Sequence, residues 1–132
     1  MINLVNDWIE TFQPQRGQPE LYDNLILEEL AEVKEAAGTD EEGYELADLI
    51  WVAVARALQE YSVDEILRLM MKTYKSNMSK LGTKEEITQW IKDQGLVFEV
   101  EPVSRGHLYA AIRKTDGKIL KGPNYVKAED LQ

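Results

Sequence analysis

The stretch EELAEVKEAAGTDEEGYELADLIWVAVARAL, residues 28–58, decides the reading of this chain. Its two ends have helical periodicity, and Gly38 with the polar run after it breaks them apart. From Glu20 to Ala37 the apolar residues Ile26, Leu30, Val33 and Ala37 recur at helical spacing. From Leu46 to Leu58 only Asp48 and Arg56 are not apolar. A helix apolar on all sides is expected to be buried, so Asp48 is expected in a largely buried environment. The pair reads as two antiparallel helices joined by a short acidic turn.

Working outward, residues 3–12 read as a short helix with Leu4, Trp8 and Phe12 on one face. QPQRGQP (13–19) reads as a loop. A third long helix is expected over Tyr44–Glu60. Ser62 is placed to cap a fourth, reaching about Lys80, and Thr83 with Glu86 forms a capping box for a fifth that stops at Gly95. After Gly95 the pattern changes. VFEVEPV (97–103) and HLYAAIRK (107–114) are rich in strand formers, and Asp116-Gly117 signals a turn before KILKG. The expected fold is mainly α: a helical bundle over 1–95 with a small antiparallel β appendage over 96–132, in one domain.

The 132 residues are 44% apolar and 30% charged, the profile of a globular protein. No apolar run is long enough for a membrane span, and the N-terminus has neither the basic start nor the apolar stretch of a signal peptide. The absence of cysteine excludes disulfides, thiolate nucleophiles and sulfur-built zinc sites, and fits the cytoplasm. One histidine, His107, excludes a histidine-rich metal site and gives no basis for a catalytic triad.

The net charge of −9 argues against nucleic acid as a partner. The charge is also local. Residues 20–48 hold eleven acids and one base, Lys34, whereas the rest of the chain is nearly balanced. Glu28, Glu32 and Glu35 fall on one side of their helix, opposite the apolar stripe, as a solvated face would. Glu29 lies nearer the apolar edge. Asp48 has Glu45 near it on its own helix and no positive neighbour within a turn. Pairing the helices brings Glu29, Glu32, Glu45 and Asp48 to one interface. Two readings stand at this point: a hard divalent cation held by oxygen ligands, or a solvated, proton-sharing acidic cluster.

The fourth helix has a basic stripe, Arg68, Lys72 and Lys75, opposite its apolar face. Asn77 is expected in line with Ile66 and Met70, with Lys80 one turn on. Ser76, Asn77 and Lys80 are candidates for contacts to phosphate. Trp8 and Phe12 suit base stacking, though their spacing is also that of core residues. In the tail, Lys118, Lys121, Asn124 and Tyr125 are either a closing element over a ligand or a solvated hairpin.

Glu29-x-x-Glu32 followed by Glu45-x-x-Asp48 resembles the signature of the all-α nucleoside triphosphate pyrophosphohydrolases. That group includes the MazG-like, dimeric dUTPase and phosphoribosyl-ATP pyrophosphohydrolase families. EELAE (28–32) and ELAD (45–48) resemble the MazG-like form. SNMSK (76–80) and DGKILKGPNYVKAEDL (116–131) resemble small phosphoribosyl-ATP pyrophosphohydrolase-like members, many of them phage-encoded. The resemblance implies a helical bundle that forms homo-oligomers, dimers or tetramers. It implies Mg²⁺-dependent cleavage of a triphosphate between the α- and β-phosphates, with Mn²⁺ as a substitute and about two or three ions per site. Carried over, Glu29, Glu32, Glu45 and Asp48 are metal ligands, with Glu28 a ligand or a support to one. Asn77 and Lys80 contact phosphates, and Glu29 or Glu32 takes a proton. SNMSK stands where MazG proteins often carry an arginine-rich segment, which argues against a promiscuous substrate range. The base stays open: purine deoxynucleotides such as dGTP or dATP stand beside pyrimidine triphosphates, damaged nucleotides and phosphoribosyl-ATP. The reading from a different class is a non-catalytic acidic helical module for interaction or dimerisation, with no use for a buried Asp48.

Overall fold

The computed structural model describes residues 1–13 and 16–132, so Pro14 and Gln15 of the expected 13–19 loop lie outside the described residues. The chain forms two compact units, Met1–Leu67 and Arg68–Gln132. It is mainly helical, with a two-stranded antiparallel sheet near the C-terminus. Among the described residues no helix is long and apolar enough to cross a membrane.

The first unit contains α1 (Ile2–Phe12), α2 (Pro19–Glu35), α3 (Glu42–Ala57) and the start of α4 (Val63–Met78). Pro19 opens α2, where its missing N–H costs nothing. Gly38, at φ +79°, turns the chain between α2 and α3. Ser62 caps α4: its Oγ accepts from the Glu65 amide at 3.2 Å, and the Glu65 side chain accepts from the Ser62 amide at 3.3 Å. The core is Val5, Ile9, Tyr22, Ala55, Leu58 and Ile66, with Trp8, Leu25 and Trp51 packed at its edge. Each large side chain fully buried there contributes roughly 1.5–3 kcal/mol. The buried Gln59 fixes the entry to α2, accepting from the Gln18 amide at 3.2 Å and donating to the Ala55 carbonyl at 3.1 Å.

The α2–α3 pair is antiparallel. Arg56, late in α3, binds Asp23, early in α2, at 2.6 Å, while Glu45, early in α3, meets Glu29 and Glu32 in the second half of α2. The core covers one flank of this hairpin. Leu27 and Leu30 of α2, with Leu46 and Ile50 of α3, remain exposed.

The second unit holds the rest of α4, then α5 (Lys84–Asp93), β1 (Val100–Arg105), β2 (Leu108–Arg113) and a 3-10 turn at Ala128–Asp130. The Thr83–Glu86 capping box opens α5 as expected. Residues 97–99, expected as the start of a strand, form a turn instead, and pairing runs from Val100↔Arg113 to Arg105↔Leu108. His107 lies in the hairpin turn and not in a strand. Ile87 and Ile91 of α5 pack with Val100 and Ala111, so the fifth helix builds its core with the hairpin. Ala110 and Ala111 are both buried, so β2 is covered on both faces.

The tail returns along this unit. Ile119 bridges Ile112, Ser76 Oγ donates to the Val126 carbonyl at 2.7 Å, and the Val126 amide donates to Ser79 Oγ at 2.9 Å. Gly122 has φ +76°, and a Cβ there would come within 3.1 Å of the Lys80 carbonyl, so any other residue is strained in this passage.

Candidate metal centre

Two turns of helix and one tight connection build the acidic site. Glu29 and Glu32 lie one turn apart on α2, and the Gly38 turn brings Glu45 of α3 against them. Each of the three offers a carboxylate oxygen, and these oxygens lie within 4.8 Å of one another. Glu32 and Glu45 border a hollow of about 320 Å³ whose wall also includes Glu35, Thr39 and Glu41. Glu35 is expected on a solvated face, and the sequence gives Glu41 no role. Their position beside the turn between the helices puts both at the rim.

Burial is uneven within the cluster. Glu32 is exposed, whereas Glu29 and Glu45 are half-buried, with Oε2 of each enclosed and lacking a hydrogen-bond partner among the described residues. Burial, the Glu32 carboxylate and then the charges of Asp48 and Glu45 push the Glu29 carboxyl up to about 7. Burial, then Glu32, Asp48 and Glu41, push Glu45 up from its ordinary value. Among the described residues no lysine or arginine forms an ion pair with any of these acids. Two buried, donorless oxygens among like charges fit a hard divalent cation, which prefers such an all-oxygen set.

Asp48 departs from its expected burial. It is exposed, and it lies outside the group of three. The apolar run of α3 does not enclose it, because α3 is covered by α2 on one side and by the α1 core on another, leaving Leu46 and Ile50 bare. Asp48 still acts on the site through its charge, raising both Glu29 and Glu45. The enclosed carboxylate oxygens are therefore those of Glu29 and Glu45.

Glu28 is exposed and stands outside the group of three. Trp8 is half-buried against the first unit's core, edge-on to Trp51 at 6.0 Å. Phe12 touches Trp8 but is 69% exposed.

Asn77 and Lys80 belong to the second unit. Asn77 does not face a core: it is exposed, as is Met70 of the same stripe. Lys80 is half-buried, and both residues line one hollow of that unit. Ser76 is buried and holds Val126, so its hydroxyl is already engaged. Asn124 likewise donates to the Leu81 carbonyl at 3.2 Å and to Glu86 at 3.3 Å, anchoring the tail. Lys121 lies over the Tyr125 ring at 5.0 Å.

Comparison with protein-family models, with curated proteins and with solved structures finds no match to this chain.

Proposed function

We propose that the chain is a Mg²⁺-dependent nucleoside triphosphate pyrophosphohydrolase of the all-α, MazG-like kind. It converts a (d)NTP to the (d)NMP and pyrophosphate, with purine deoxynucleotides such as dGTP or dATP as the favoured substrates. The observation that carries this reading is the pair of enclosed, partnerless oxygens on Glu29 and Glu45 beside Glu32. Such a set repels itself unless protons or a cation sit among it. The all-oxygen donor set selects Mg²⁺, with Mn²⁺ as a substitute.

Glu29, Glu32 and Glu45 hold the metal in this proposal, and Asp48 and Glu28 add ligands or charge from exposed positions. A bound divalent ion supplies neutralisation of the phosphate charge and Lewis acidity at phosphorus. The chain's own part is to orient and to move a proton. Glu32 is the most exposed of the three and can take a proton from an attacking water. Asn77 and Lys80, the phosphate contacts that the resemblance implies, belong to the second unit. Leu27, Leu30, Leu46 and Ile50 support a homo-oligomer, because side chains of this size seldom stay bare together on one helical hairpin.

The test is Glu45→Gln. It is expected to cut Mg²⁺-dependent turnover by more than about a hundredfold while leaving the circular dichroism spectrum unchanged. Full activity in that variant contradicts the assignment.

A further inference from the structure

The two units carry opposite charge. Residues 1–67 hold sixteen acids and three bases, whereas residues 68–132 hold eight acids and twelve bases. Several of those bases gather around two neighbouring hollows of the second unit. The larger, about 400 Å³, has a floor of Met78, Leu81, Ala110 and Ile119, with Asn77, Lys80 and Arg105 at its rim. The smaller, about 310 Å³, shares Lys80 and Ile119 with it and adds Trp90, Lys118 and Lys121.

The polar groups here are free for a ligand. Among the described residues neither Lys80, Arg105 nor Lys118 pairs with a carboxylate. The Arg105 guanidinium donates to the carbonyl of its own neighbour Ser104 at 2.9 Å. The hollows are built, too. The tail that supplies Lys118 and Ile119 is held in place by the Ile112–Ile119 bridge and by the clamp of Ser76 and Ser79 on Val126.

An apolar lining, a side-chain amide beside it and cations around it make up the recognition chemistry of a nucleotide. We infer that the second unit holds a nucleotide-binding cleft of its own, which works without divalent metal. The ring lies on Met78, Leu81 and Ile119. The Asn77 amide offers one donor and one acceptor face to the base edge. Lys80, common to both hollows, takes the first phosphates, and Arg105 and Lys118 take charge on either side of it. The choice of a nucleotide over another ring-bearing anion rests on the function proposed above.

The test is calorimetric titration of the full chain in EDTA with dGTP, dATP and inorganic tripolyphosphate. The expected result is binding of a purine nucleotide that tripolyphosphate, lacking the ring, does not match. Arg105→Gln and Lys118→Gln, both at exposed positions, are each expected to weaken it about tenfold. Ile119→Asp is expected to abolish it, and Glu45→Gln in the acidic unit to leave it unchanged. Circular dichroism checks that each variant is folded.

No binding in EDTA overturns the inference. So does equal binding of tripolyphosphate, which marks a diffuse positive surface, and so does nucleotide binding that Arg105→Gln and Lys118→Gln leave intact. Failure of the cleft and failure of the hydrolase are separable. Turnover with Mg²⁺ but no binding in EDTA removes the cleft and keeps the enzyme. Binding in EDTA without turnover does the reverse.

Discussion

Glu29 and Glu45 meet across the α2–α3 hairpin, each with one carboxylate oxygen enclosed and without a donor. Burial and then the Glu32 carboxylate raise both groups, Glu29 from 4.5 to about 7. A carboxyl raised in the folded state favours folding while it is protonated. Its contribution is complete below pH 4.5 and is lost as pH rises through about 7. The metal-free protein is therefore expected to melt lower at pH 8 than at pH 5.5. Glu29→Gln is expected to shrink that difference. Melting curves in EDTA check this, and a higher midpoint at pH 8 contradicts it.

Metal binding carries the same linkage with the opposite sign. A divalent cation has to displace the protons held by Glu29 and Glu45, so Mg²⁺ is expected to bind more tightly at pH 8 than at pH 6. Asp48→Asn removes a charge that raises both groups. It is expected to shift the onset of Mg²⁺ binding to lower pH without unfolding the chain. Titration of Mg²⁺ at several pH values reads both effects.

The first unit depends on a small core. Leu58 is 1% exposed, and Leu58→Ala is expected to destabilise the protein by about 2–5 kcal/mol. Phe12 is mostly exposed, and Phe12→Ala is expected to change stability by no more than about 0.5 kcal/mol. Urea unfolding measures both. If Phe12→Ala instead raises the KM for the nucleotide, Phe12 is a base-stacking residue.

The tail depends on a backbone passage. Gly122→Ala brings a Cβ against the Lys80 carbonyl at a left-handed φ, and about 1–3 kcal/mol of destabilisation is expected. Limited proteolysis is expected to cut the tail of this variant first.

The exposed leucines and isoleucine of the hairpin predict assembly. Leu46→Glu with Ile50→Glu is expected to convert an oligomer to monomers in sedimentation experiments. A wild-type chain that is already monomeric at the concentrations assayed contradicts the proposed interface.

Much of this architecture is legible in local sequence. The Thr83–Glu86 box, the Gly38 turn and the three-residue spacing of Glu29 and Glu32 act within a turn or two of chain, so periodicity exposes them. What escapes is set by distant segments. Asp48 is exposed because no described element covers that part of α3, a fact that an apolar run cannot reveal. Ser76 and Asn77 look alike as candidate phosphate ligands, yet Ser76 is engaged by Val126, fifty residues away. The cleft around Lys80, Arg105 and Ile119 draws on α4, the hairpin and the tail, and no spacing in the sequence brings them together.

The most direct measurement is product analysis after incubating the purified protein with Mg²⁺ and each of the eight common (d)NTPs. The proposed function predicts monophosphate and pyrophosphate in equal amounts, fastest with a purine deoxynucleotide and abolished by EDTA. Diphosphate with orthophosphate, or no turnover with any nucleotide in Mg²⁺ or Mn²⁺, contradicts it.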